Sequence, residues 1–252
     1  MLPNPWDIGS ARLLASLGFK ALATTSSGIA WSLGRSDNHV PLEESLARIR
    51  SIAESVEVPV NADFEGGFAV EPDAVDRNVA LAAESGVAGI SIEDSTVDST
   101  EPLFDFTLSV DRIRAARSAI DRCGADILLT ARSEGFIVGR PDLDETIRRL
   151  SAYAGAGADC LYAPGIRSRS EIAAIVEAVA PKPVNVLVGS DFTTVAELAA
   201  LGVRRISVGG ALARAAWAGF LAAAREIAEQ GAFSRLAGAV PFIDINRAFG
   251  PL

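Results

Sequence analysis

Three apolar runs in this chain close on charged residues: Pro59-Val60-Asn61-Ala62-Asp63-Phe64-Glu65, Gly89-Ile90-Ser91-Ile92-Glu93-Asp94 and Ile127-Leu128-Leu129-Thr130-Ala131-Arg132-Ser133-Glu134. Each run reads as a strand with its charge at the C-terminal end, the face where parallel α/β proteins bind ligands. Asp63, Glu65, Glu93 and Asp94 would then converge, and like charges so gathered need a cation to offset them. Arg132 is one candidate. A hard divalent ion, Mg2+ or Mn2+, held by few carboxylates and several waters is another. A rim of structural salt bridges would use the same residues.

Other polar segments offer binding groups. Thr25-Ser26-Ser27-Gly28-Ile29 follows a strand and could present backbone N–H groups to a carboxylate or phosphate, or be an ordinary turn. Arg132 could clamp a substrate carboxylate through two parallel hydrogen bonds, or pair with Glu134. Asn185, in Pro183-Val184-Asn185-Val186, sits mid-strand, where a buried amide needs a partner from the protein or a ligand. Asp37 lies in the polar loop Gly34–His39, placed either over the mouth or in solvent. His39 is the only histidine, so a histidine base has no other candidate. Gly189-Ser190 and Gly209-Gly210 follow the last two strands, where barrels commonly bind phosphate.

A repeated phrase positions these groups: a helix tail, a glycine, two or three residues, then a strand. It occurs around Gly18, Gly86, Gly157 and Gly202. Glycine there can take the left-handed conformation that closes a helix. Helical spacing unites Leu42, Leu46, Ile49, Ile52 and Val56 on one face, and Ile147, Leu150 and Tyr153 on another. Strands are expected near 1–4, 20–26, 58–64, 88–93, 126–132, 159–163, 183–188 and 204–209, with a last long helix over 210–230. Eight such units predict an α/β fold, a (β/α)8 TIM-type barrel with a short C-terminal helical extension. The first strand is nearly missing, as if the chain starts inside it or the seam is weak there. No linker divides residues 1–252, so one domain is expected. Its apolar tail, 231–252, would pack on the barrel or swap onto a neighbouring subunit.

Composition narrows the partners. The net charge of −9 argues against nucleic acid or an anionic membrane. No apolar run is long enough to span a bilayer, and the start lacks a signal-like stretch. Two cysteines give no disulfide framework, and a cytoplasmic protein is expected.

Taken together, these segments resemble the isocitrate lyase/phosphoenolpyruvate mutase superfamily over essentially the whole chain. The specific pieces are Thr25–Ile29, Asn61–Glu65, Ile92-Glu93-Asp94, Ala131–Glu134 and Pro183–Val186. The resemblance implies a (β/α)8 barrel that binds Mg2+ and a small 2-oxo or 2-hydroxy carboxylate and works through an enolate. It also implies a homodimer or homotetramer with a swapped C-terminal helix. Carried over by position, Thr25, Ser27, Gly28 and the Ile29 N–H would hold the substrate's oxygens. Arg132 would pair with its carboxylate, and Asn185 would add a polar contact. Asp63 and Glu93 would hold the metal, with Asn61 and Glu65 beside them. Asp37 would stand near the reacting carbon, making Asp37, Glu93 and Arg132 the catalytic set.

Two departures restrict the chemistry. Asn61 stands where the family's metal motif has an aspartate, and Glu65 could restore that charge. Ser95–Glu101 contains none of the Lys-Lys-Cys-Gly-His loop of the isocitrate and methylisocitrate lyases, and Pro164 stands where phosphonate-processing members have a histidine. The implied activity is a carbon–carbon lyase or decarboxylase acting on a small di- or tricarboxylate. The alternatives are a phosphonopyruvate-type mutase or hydrolase, or a non-catalytic 2-oxo acid-binding member.

Overall fold

The computed structural model describes residues 1–250. The last two residues of the tail segment 231–252 lie outside the described residues. Among those described, seven parallel strands run in chain order around one sheet: β1 (Leu22–Ala23), β2 (Val60–Asp63), β3 (Gly89–Glu93), β4 (Leu128–Arg132), β5 (Cys160–Tyr162), β6 (Val184–Leu187) and β7 (Arg205–Ser207). Helices alternate with them, which gives the expected TIM-type barrel.

The missing first strand is a stub of two residues. The Leu2 N–H donates to the Ile206 carbonyl at 2.8 Å, and the Ala23 N–H donates to the Pro3 carbonyl at 3.1 Å. Residues 2–3 thus fill the gap between β7 and β1. Asn4 staples the same seam: its amide donates to the Thr24 carbonyl, and its oxygen accepts from the Val208 and Gly209 N–H groups, both at 2.8 Å.

Alternation along the strands separates two environments. Ile90, Ile92, Leu129, Ala131, Leu161, Val184, Val186 and Ile206 face outward and form the main core with the helices. The inward positions carry Asn61, Ser91, Thr130, Arg132, Tyr162, Asn185, Arg205 and Ser207, so the bore is polar. Arg205 crosses it to donate to the Thr130 hydroxyl at 2.8 Å. The recurring turn glycines take the left-handed conformation expected of them, Gly18 and Gly202 at φ +87°, Gly86 at +76° and Gly157 at +105°.

The C-terminal extension comprises the helices Ala211–Gln230 and Phe242–Ala248, with a short 3-10 turn between them. Its end returns to the barrel, where Arg12 donates to the Gly250 carbonyl at 2.8 Å. Phe220, Phe233, Val240, Phe242 and Ile243 remain exposed. No helix among the described residues is long and apolar enough to cross a membrane.

Candidate active site

Arg132 organises the C-terminal mouth. It ends β4, and its inward position brings the guanidinium against the ends of β2 and β3. Nη1 meets Asp63 Oδ1 at 2.6 Å, Nη2 meets Glu93 Oε2 at 2.9 Å and Nε meets Glu134 Oε1 at 2.8 Å. Three of its five N–H donors are thereby used, leaving one on each Nη. Burial works against its charge, yet Glu134, Glu93 and Asp63 together hold its pKa well above the ordinary value. The sequence-level alternatives of an ion pair and a clamp are therefore not exclusive.

Charge remains in excess around that single cation. Burial, reinforced by Asp63 and Glu93, pushes Glu65 up to about 8. Burial likewise pushes Glu134 up to about 8 against the pull of Arg132, and raises Glu93. Asp37 is raised by burial and then by Asp63. Neutral pH thus finds part of this set protonated.

A cleft of about 260 Å³ opens over these residues. Thr25, Ser27, Asp37, Asp63, Arg132, Glu134, Tyr162 and Pro164 are among its walls, with Asn4, Asn61, Arg205 and Ser207 deeper in. Thr25 caps the helix Ser26–Ser32, and its hydroxyl lies 3.0 Å from that of Ser27. The first amide of this helix, Ser26, donates to Asp63 Oδ2 at 2.9 Å, fixing the carboxylate from the side opposite Arg132.

Several expected positions lie elsewhere. The Ile29 N–H is committed to the Thr25 carbonyl at 3.0 Å, and the Gly28 N–H to the Thr25 hydroxyl at 3.4 Å. Gly28 and Ile29 are not among the cleft's walls, and helix formation takes both amides. A side chain at Gly28 would meet Thr25 and Trp6 within 3 Å, which explains the glycine by packing. Asn185 is buried beside the cleft; its amide donates to Ser207 at 2.9 Å and its oxygen has no partner. Glu65 and Glu93 line a neighbouring cavity of about 700 Å³. Glu65 occupies a left-handed backbone position, φ +48°, in a loop clamped by Arg112 through the carbonyls of Gly66, Ala69 and Val70.

Asp94, adjacent to Glu93, faces the other side of the sheet. It accepts from Arg149 at 3.0 Å, from the Tyr153 hydroxyl at 2.6 Å and from the Glu134 N–H at 2.8 Å. It belongs to the packing of the helix Leu143–Gly155, not to the cleft.

The donor chemistry fits a hard divalent ion. Asp63 and Glu93 sit on neighbouring strands, and the carboxylates outnumber the cation they share. No three acidic, histidine or cysteine side chains among the described residues form a cage, because Arg132 stands between them. An ion would therefore be held by few carboxylates and much water, as Mg2+ prefers. Asn61 fits this role less well. Its oxygen is turned toward Gly89, where it has no partner, and its amide donates to the Ala62 carbonyl at 2.9 Å.

Sequence reasoning missed Tyr162 and Arg205. Both hold inward strand positions, and Tyr162 pairs in register with Arg132 on the adjacent strand. That period-2 spacing was the available signal.

The family model described as phosphoenolpyruvate phosphomutase matches residues 1–228. A crystal structure from Burkholderia cenocepacia, provisionally described as a lyase/mutase, is 50% identical, with a TM-score of 0.96 covering 99% of this chain and 91% of that one. A crystal structure of 2,3-dimethylmalate lyase is 30% identical, with a TM-score of 0.87 and coverages of 99% and 88%. A 2,3-dimethylmalate lyase from Eubacterium barkeri matches in sequence, at 28% identity over 70% of this chain and 62% of its own length. Phosphonopyruvate hydrolase complexed with oxalate and Mg2+ is 26% identical, with a TM-score of 0.86 and coverages of 99% and 89%. The barrel, the Arg132-centred mouth and these matches agree: the chain belongs to the isocitrate lyase/phosphoenolpyruvate mutase superfamily.

Proposed function

We propose that this protein is a carbon–carbon lyase or decarboxylase that acts on a small 2-oxo or 2-hydroxy di- or tricarboxylate and releases a 2-oxo acid or its enolate. The observation that carries this reading is the half-used Arg132 guanidinium at the base of a cleft just large enough for a small acid. Its two spare N–H groups can take a substrate carboxylate. The Thr25 and Ser27 hydroxyls face the same space and can orient the neighbouring oxygen. Asp37, its pKa raised by burial and then by Asp63, stands on the loop side as an acid or base. Mg2+, held by Asp63 and Glu93 with Glu65 nearby, would supply a Lewis acid for the enolate's developing charge. Fixed donors in a buried cleft stabilise that charge without reorganisation.

Carbon–carbon chemistry is favoured over carbon–phosphorus chemistry because Pro164 brings no titratable group to the wall where the resemblance places a histidine. The exposed aromatic residues of the C-terminal extension support a homo-oligomer in which that segment packs on a second copy. Light scattering of the full chain would test it. The site itself is tested by titrating the protein with oxalate, an enolate mimic, with and without Mg2+. Saturable Mg2+-dependent binding that Arg132→Met abolishes is the expected result, and oxalate binding indifferent to that change refutes the reading.

A further inference from the structure

The cleft has an acidic wall and one without carboxylates, where Arg205 is the charged group. Asp63, Arg132 and Glu134 stand on one side, at the ends of β2 and β4. Tyr162, Ser207 and the buried Asn185 stand on the other, on β5 to β7. An enolate released by bond cleavage must receive a proton at carbon. The loop Ser95–Glu101 contains no cysteine or histidine to give it, and the cleft is not lined by either.

Hydrogen bonds on this second wall have a direction. The Asn185 amide donates to the Ser207 hydroxyl at 2.9 Å. Ser207 in turn donates to the oxygen of the buried Tyr162 across a long 3.5 Å contact. Tyr162 therefore accepts from behind, and among the described residues nothing accepts its proton. Its ring lies 5.3 Å from the Arg132 guanidinium, so its hydroxyl shares the space where Arg132 would hold a substrate carboxylate.

Resting on the reading of this cleft as a 2-oxo acid site, we propose that Tyr162 is the catalytic acid that returns a proton to the enolate carbon, aligned by Ser207 and Asn185. In that step the C2–O⁻ pair re-forms the carbonyl. The C2=C3 π pair takes the proton from the Tyr162 O–H, and water reprotonates the tyrosinate left behind. In reverse, tyrosinate removes a C3 proton from a bound 2-oxo acid.

The reverse step can be followed without knowing the natural substrate. With Mg2+ and pyruvate in D2O, the wild-type chain should exchange the C3 protons, read by proton NMR. Tyr162→Phe should slow this exchange about 100-fold or more, the usual worth of a positioned acid or base. Its oxalate affinity, measured by calorimetry, should stay within about threefold.

The chain has only two tyrosines, Tyr153 and Tyr162, so global fluorotyrosine labelling gives a second measurement if the Phe variant folds poorly. The more acidic phenol should move the pH profile of exchange downward, and the label at Tyr162 should shift in fluorine NMR when oxalate binds. Oxalate binding with no exchange in the wild type, exchange unaffected by Tyr162→Phe, or an unmoved pH profile would each overturn the assignment. Absence of oxalate binding in the wild type would instead overturn the site reading beneath it.

Discussion

Two arginines paired with carboxylates, Arg132 at the end of β4 and Arg149 on the helix Leu143–Gly155, serve opposite ends. Arg132 holds Asp63, Glu93 and Glu134 at the mouth of the bore, with two donors to spare. Arg149 holds Asp94 and Glu145, and also donates to the Phe104 carbonyl and the Ser109 hydroxyl, outside the sheet. Tyr153 completes that second cluster through Asp94. The residue types are nearly the same. The difference is where they face: the Arg149 cluster is packed between helix and sheet, and the Arg132 cluster lines the cleft. The two are joined through Glu134, whose N–H is fixed by Asp94 while its carboxylate holds Arg132. The closed cluster thus positions the open one.

This contrast is broken most severely on the closed side. Arg149→Met leaves Asp94 buried without its charge partner, and such removals cost about 3–5 kcal/mol. Thermal melting should fall by about 6–20 degrees, the shift such a loss produces in a domain of this size. A melting temperature near wild type would show that Tyr153 and the Glu134 amide suffice for Asp94. The open side should behave differently. Asp63→Asn keeps an acceptor for only one of its two donors, Arg132 or the Ser26 N–H, but removes a charge from a surplus, so stability should fall by only about 1 kcal/mol. Mg2+-dependent oxalate affinity should fall about tenfold to a hundredfold, or roughly 1.4–2.7 kcal/mol. Equal losses of stability and affinity in both variants would erase the distinction.

Much of the barrel could be read from the chain because helix-closing glycines and charge-terminated strands are local signals. Gly18, Gly86, Gly157 and Gly202 announced the turns, and Asp63, Glu93 and Arg132 announced the mouth. Strand lengths could not be read in the same way: β1 keeps only two residues, because pairing across the barrel, not propensity, decides where a ladder ends. The split between Glu93 and Asp94 was also hidden. Neighbours on a strand face opposite sides, and which side faces the bore depends on register with β2 and β4. Tyr162 escaped for the converse reason: an aromatic residue in an apolar strand reads as core until the bore proves polar. The seam shows the same limit. Asn4 is a single polar residue in sequence, yet it ties the ends of β1 and β7 by three hydrogen bonds. Asn4→Ala should cost about 1–3 kcal/mol, the usual penalty for orphaning buried backbone groups, read by denaturant unfolding. An unchanged midpoint would mean that the stub at residues 2–3 closes the barrel unaided.

A slope with pH is also expected, and it bears on how the open cluster tolerates its surplus charge. Glu65 and Glu134 ionise near 8 in the folded chain, against an ordinary glutamate value of 4.5. Between those limits the folded state binds more protons than the unfolded one, so stability must fall as pH rises. The contribution is complete below about pH 4.5 and is lost on passing through 8. Melting measured at pH 6 and pH 9 should show the decline, and Glu65→Gln, neutral throughout, should remove its share. Added Mg2+ should raise the melting temperature more at pH 9 than at pH 6, because a cation beside these carboxylates favours their charged forms. A flat profile, or an equal Mg2+ effect at both values, would mean that Arg132 alone balances the mouth, and the metal would lose its electrostatic reason to bind there.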